Sequence, residues 1–141
     1  GAVQQKRGGS VIHDFRFPAL VTLGVVVLLF AAAANVGRNR VKHRIDAPAT
    51  TGHPEFERAF RVQMNTLENA LLFLPAFWVF TAFVSEIWAS AIGIVWLAAR
   101  VWYAIAYQKA ASRRGPPFGL SMLAIVILVC GGAWGVLRTF F

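Results

Sequence analysis

The sequence predicts an all-α polytopic membrane protein built as a bundle of four transmembrane helices. Three observations predict it. First, 57% of the 141 residues are hydrophobic and only 14% are charged, where a soluble domain averages about 45–50% apolar and about 25% charged. Second, the mean hydropathy is +0.59. Third, the charges gather in short connections between long apolar runs, and a membrane helix needs about 20 mostly apolar residues. The length fits one domain.

The elements follow in order. Gly1 to Ser10 is polar and glycine-bearing and lacks the small-residue cleavage pattern of a signal peptide. It reads as a mobile tail, with residues 1–17 outside the membrane domain and 18–141 forming it. The first span is PALVTLGVVVLLFAAAANV, Pro18 to Val36, and Pro18 suits a first helical turn. The polar stretch that follows contains Pro48, Gly52 and Pro54 and should form a loop. The second helix should begin near Glu55, since acids favour the N-terminal turn. Its first half is polar and its second half, ALLFLPAFWVFTAFV, is apolar with Pro75 inside, which predicts a kink that neighbouring helices tolerate. The third span runs from about Ile87 to Gln108. Gly115-Pro116-Pro117 should end any helix before the last span, Pro117 to Leu137.

Fourteen Lys+Arg against six Asp+Glu give a formal net charge of +8. Such a balance can mark a nucleic-acid binder, but here the basic residues sit at helix ends, which argues against nucleic acid. The first loop carries Arg38, Arg40, Lys42 and Arg44, and the third carries Lys109, Arg113 and Arg114. The positive-inside rule then places loops one and three in the cytoplasm, of an inner or an endoplasmic-reticulum-type membrane. A single cysteine, Cys130, excludes an intrachain disulfide and Cys-based metal motifs, and the three histidines form no ligand motif, so no metal is expected.

Ionisable residues inside spans are expensive and face the bundle interior. Arg58, Arg61, Asn65 and Glu68 fall at helical spacing on one stripe of the second span, and Arg100, Tyr103 and Tyr107 do so on the third. Arg114 lies two turns further on, and Gln63 points elsewhere, toward a neighbouring chain. Arg38 and Arg40 close the first span, and together these residues predict one arginine-rich pocket at the cytoplasmic ends of the helices. Guanidinium groups recognise carboxylates, Glu68 can hold an ammonium group, and Asn65 and the tyrosines add donors. A molecule with two carboxylates and one amine, such as glutathione, satisfies this set without being singled out by it.

Each residue also has a plainer reading. Arg58 and Arg61 can snorkel to headgroups. Arg100 and Glu68 can form an ion pair between spans. Tyr103 and Tyr107 can belong to an interfacial belt, and Arg113 and Arg114 can serve topology alone. Cys130 reads as a small buried packing residue, and His43 and His53 as solvated loop residues. The five tryptophans read mostly as lipid-facing or packing groups. Gly131, Gly132 and Gly135 read as permitting close helix packing.

The segment TTGHPEFERAFRVQMNTLENALLFLP, Thr50 to Pro75, resembles the hallmark segment of the MAPEG family of membrane proteins in eicosanoid and glutathione metabolism. The ordered set E-R-x-x-R-x-Q-x-N-x-x-E, Glu57 to Glu68, carries the likeness. ARVWYAIAYQKAASRRGPP, Ala99 to Pro117, resembles the family's third helix and following loop. The resemblance implies a homotrimer with glutathione bound between subunits. It implies that Arg61, Asn65, Glu68, Tyr103 and Tyr107 bind glutathione from one subunit, with Arg40 and Gln63 reaching it from the neighbour. Arg114 stands where the eicosanoid-synthesising branch has its thiol-activating arginine, and Arg38 is a second, weaker candidate. That branch has a tyrosine directly after the glutamate, where this chain has Asn69, and an adjacent arginine pair where this chain has Arg38 and Arg40. The departures point to a general transferase acting on hydrophobic electrophiles from the bilayer, with lipid-peroxide reduction as a companion activity. The alternative class is a lipid- or glutathione-binding scaffold without chemistry.

Overall fold

The computed structural model describes residues 15–141, and most of the expected 1–17 tail lies outside them. Helix α1 spans Arg16–His43, α2 Pro54–Phe83, α3 Glu86–Lys109 and α4 Gly115–Leu137. Short 3-10 turns, Ala111–Arg114 and Arg138–Phe140, precede and follow α4. All four helices are long and apolar enough to cross a membrane. The chain is all-helical among its described residues, as the sequence predicts.

The largest difference from expectation is at α1. It starts at Arg16, inside the expected tail, and runs seven residues beyond Val36 to His43, through a stretch read as loop. Nothing in GRNRVKH forbids a helix. One internal glycine is tolerated at about 1 kcal/mol, and Arg40, Lys42 and His43 in the last turn complement the helix dipole. Twenty-eight residues give about 42 Å of helix, longer than a hydrocarbon core of about 30 Å. The helix stops at Arg44, whose left-handed backbone (φ 55°) turns the chain. Ile45 then donates its N–H to the Arg40 carbonyl at 2.9 Å and buries its side chain with Val36, Phe56 and Ala59. Gly52 adopts φ 148°, where only glycine is comfortable, and a Cβ there would fall 2.9 Å from Ile45 Cδ1.

Helix α2 begins one residue before Glu55. The His53 ring caps it, with Nδ1 accepting from the Glu55 N–H at 3.1 Å, Pro54 occupies the first turn, and Glu55 and Glu57 sit at its positive end. Pro75 lies inside without ending it. Ser85 caps α3 by accepting from the Trp88 N–H at 3.2 Å. The Gly115-Pro116-Pro117 segment, expected as a terminator, opens α4 instead. Proline lacks an N–H and has a fixed φ, so it suits the start of the next helix as well as the end of the last.

Helices α2 and α3 are central, each packing against the three other helices. Between them lies the apolar core: Val21, Val25, Phe73, Phe77, Trp96, Ile125 and Leu128. Phe73 stacks on Trp96 with centroids 4.2 Å apart. Gly135 lets α4 close on α2, since a Cβ there would sit 2.9 Å from the Phe83 carbonyl oxygen. Outward, Leu20, Leu23, Val27 and Phe30 of α1 are exposed, an apolar face that water would not tolerate and lipid does.

Candidate functional site

One cavity of about 380 Å³ gathers the polar stripes. Its α2 wall is Arg61, Met64, Asn65 and Glu68, its α3 wall Tyr103 and Tyr107, and Arg114 closes it from the 3-10 turn. The helical spacing explains the convergence: residues three and four apart share a face, and the two stripes meet where α2 packs on α3. Six of the nine residues singled out from the sequence, Arg61, Asn65, Glu68, Tyr103, Tyr107 and Arg114, thus line one space. The Tyr103 and Tyr107 rings lie 5.6 Å apart. The Arg114 guanidinium carbon is 5.8 Å from the Tyr107 ring centroid, and its Nη1 donates to the Ala111 carbonyl at 2.9 Å. Arg61 and Glu68 are exposed and make no side-chain hydrogen bond to another described residue, so their charges are open to a ligand.

Arg38, Arg40 and Gln63 do not line this cavity. Arg38 donates to Asn35 Oδ1 at 2.7 Å on the exposed side of α1. Arg40 donates to the Ala49 carbonyl at 2.8 Å and rests over the Phe56 ring at 4.8 Å, bracing its own loop. The resemblance assigns Arg40 and Gln63 to a neighbouring subunit's ligand, and a single chain does not contain that arrangement. Arg58, on the expected stripe, is turned away: its Nε donates to the Gln108 carbonyl at 3.1 Å, while Gln108 donates to the Glu55 carbonyl at 3.1 Å. These bonds tie α2 to α3 beside the cavity rather than within it.

Arg100 and Glu68 form no ion pair. Arg100 is fully buried and bonds neutral partners: Nη2 donates to Asn65 Oδ1 at 2.7 Å and to Thr66 Oγ1 at 2.9 Å, and Nη1 to Ser121 Oγ at 3.3 Å. The sequence reading missed Thr66 and Ser121; lone hydroxyls within apolar runs were the available signal. It also missed the role of Asn69. That amide is buried, accepts from Trp96 Nε1 at 2.7 Å and donates to Met122 Sδ at 3.3 Å. It serves the core, so the position after Glu68 offers the cavity nothing.

Two other expectations are corrected. Cys130 is exposed on the outer face of α4 rather than buried. His43 and His53 are not separately solvated: their rings stack with centroids 3.6 Å apart, and His43 Nε2 lies 3.2 Å from Glu55 Oε2. The ligand atoms of His43, His53 and Glu55 fall within 4.8 Å of one another. Parallel rings do not aim their lone pairs at one point, His53 Nδ1 already caps α2, and Lys42 Nζ sits 3.0 Å from Glu55. The cluster clamps the end of α1 to the start of α2.

Four membrane-length helices, with a polar cavity between two of them, define an integral membrane protein. The chain belongs to the MAPEG family, whose sequence pattern matches residues 18–134. It is 42% identical over 124 residues to a protein of Synechocystis described as uncharacterised, covering 88% of this chain and 90% of that one. It is 35% identical over 108 residues to human microsomal glutathione S-transferase 2, covering 77% and 74%. It is 38% identical over 122 residues to guinea pig (Cavia porcellus) leukotriene C4 synthase, covering 86% and 81%.

Proposed function

We propose that the protein is a membrane-bound glutathione transferase that conjugates glutathione to hydrophobic electrophiles. The observation that carries this reading is the cavity. It holds two arginines for carboxylates, Glu68 for an ammonium group, and an amide and two phenols for the peptide groups between them. Its donor set suits a zwitterionic tripeptide and is poorly matched to an apolar ligand. The names of the relatives, a glutathione S-transferase and a leukotriene C4 synthase, support the same class.

A free thiol ionises near about pH 8.5 and is mostly protonated at neutral pH. Arg114 beside the sulfur favours the thiolate electrostatically. Arginine stays protonated, so it stabilises charge and does not act as a base. The thiolate then attacks an electrophile that enters from the bilayer, forming a carbon–sulfur bond as the leaving group departs. The same thiolate can reduce a lipid hydroperoxide to the alcohol, a second glutathione completing the disulfide, which is the companion activity we assign. The working assembly in this reading is a homotrimer, with Arg40 and Gln63 supplied by the neighbouring subunit and Arg38, outside this chain's own cavity, as the second candidate for activating the thiol. Loops one and three face the cytoplasm, where glutathione is found.

The test is thiolate absorbance on adding glutathione to the detergent-purified protein, for wild type, Arg114→Ala and Arg61→Ala. The expected result is a thiolate signal in wild type that Arg114→Ala loses while still binding, with activity down by about 10- to 100-fold, the worth of a charge-assisted hydrogen bond. Arg61→Ala should lose binding itself. A wild type that binds no glutathione sinks the reading. Binding without turnover of any electrophile would make the protein a scaffold, and an intact thiolate in Arg114→Ala would shift the activating role to Arg38.

A further inference from the structure

Arg100 lies directly behind the cavity wall and makes no direct use of the cavity. It is fully buried within the bundle, and among the described residues no carboxylate lies within salt-bridge reach of it. All its hydrogen-bond partners are neutral, and its Nε is buried with none. A buried, unpaired cation in a membrane span is expensive and is retained where it does something.

What it does follows from donor and acceptor chemistry. A guanidinium has five N–H donors and no acceptor. Asn65, held at 2.7 Å, must therefore turn its carbonyl oxygen inward to Arg100. The amide nitrogen is then left with two donors and no partner among the described residues, on a residue that lines the cavity. An asparagine is otherwise free to present either end. The same guanidinium packs on the inner face of Tyr103, 4.1 Å from the ring centroid, and Tyr103 lines the cavity beside Tyr107.

We propose that Arg100 is a positioning residue of the ligand site, which locks Asn65 as a hydrogen-bond donor toward a carboxylate or carbonyl oxygen of the bound tripeptide and fixes the ring of Tyr103. The proposal rests on the glutathione reading above. The bonds to Thr66 and Ser121 also tie α2 and α4 to α3, so a test must separate positioning from stability.

The experiment measures glutathione affinity by calorimetry, KM and kcat with an aryl halide electrophile, and the unfolding temperature, on the full chain in detergent. The variants are Arg100→Met, Arg100→Lys and Asn65→Asp. Arg100→Met should raise the glutathione KM by about tenfold, the size of one lost hydrogen bond, with kcat at saturation within about threefold because Arg114 is untouched. Lysine is also a pure donor, so Arg100→Lys should recover most of the affinity. Asn65→Asp keeps acceptors for Arg100 and gives it a counter-charge, so the fold should be at least as stable. It turns an acceptor to the cavity, so affinity should fall by about tenfold or more. Wild-type affinity in Arg100→Met or in Asn65→Asp overturns the proposal, and Asn65→Asp decides alone if Arg100→Met does not fold. Absence of glutathione binding in wild type itself identifies failure of the underlying reading, and this inference falls with it.

Discussion

Helix α2 contains two regions that hold the bundle together by different physics. From Pro54 to Asn69 it carries polar side chains toward α3 and α4, beside the buried apolar Phe56, Ala59 and Val62. There the contacts to α3 and α4 are hydrogen bonds: Arg58 to Gln108, Asn65 and Thr66 to Arg100, Asn69 to Trp96 and Met122. From Ala70 to Phe83 the inward face is apolar, and the contacts are rings and methyl groups, with Phe73 and Phe77 fully buried. Lipid tails are as apolar as leucine, so burial of an apolar side chain in a membrane bundle gains mainly from close packing. Hydrogen bonds there restrict orientation more than apolar packing does, because each fixes a donor to an acceptor. The difference teaches a division of labour: the apolar half supplies packing, and the polar half sets which atoms face the cavity.

Three substitutions would break or sharpen that comparison. The largest effect is expected from Phe73→Ala, which empties the centre of the apolar half and removes the stack on Trp96. Such truncations cost about 3–5 kcal/mol. The unfolding temperature should drop sharply while glutathione affinity, measured well below it, stays near wild type; a large loss of affinity would mean that the halves are coupled. Next is Asn69→Leu, at the boundary. It leaves the buried Trp96 Nε1 without its acceptor, a penalty of about 1–3 kcal/mol. Glutathione affinity should be unchanged, since Asn69 is turned to the core. A weakened affinity would show that Asn69 reaches the site after all. The smallest effect is expected from Glu55→Gln, which loosens the contacts with Lys42 and His43 at the solvent end of the polar half. Exposed ion pairs contribute little and are screened by salt, so unfolding should shift by about 2 °C or less and activity not at all.

Much of the architecture was legible without coordinates. The four apolar runs, the start of α2 near Glu55 and the two polar stripes are local properties, readable because helical periodicity and lipid thickness are fixed by backbone geometry. The glycines Gly131 and Gly135 were legible for the same reason. Local patterns failed at α1, where hydropathy marks where lipid ends but not where hydrogen bonding ends, and at Gly115-Pro116-Pro117, where one motif serves both to stop and to start.

The candidate site divides in the same way. The sequence determined which residues share a helical face, and on that basis it placed Arg61, Asn65, Glu68, Tyr103, Tyr107 and Arg114 in one pocket, together with Arg38, Arg40, Arg58 and Arg100, which the structure puts elsewhere. Only the tertiary structure decided what each polar atom bonds. Arg100 takes Asn65, Thr66 and Ser121 instead of Glu68, Asn69 is drawn into the core by Trp96, and the loop folds His53 onto His43. The physical reason is that periodicity specifies direction around one helix axis, whereas a hydrogen bond depends on the distance between atoms of different helices. That distance is set by how the helices pack on one another, to which Phe73, Trp96 and the α4 glycines contribute.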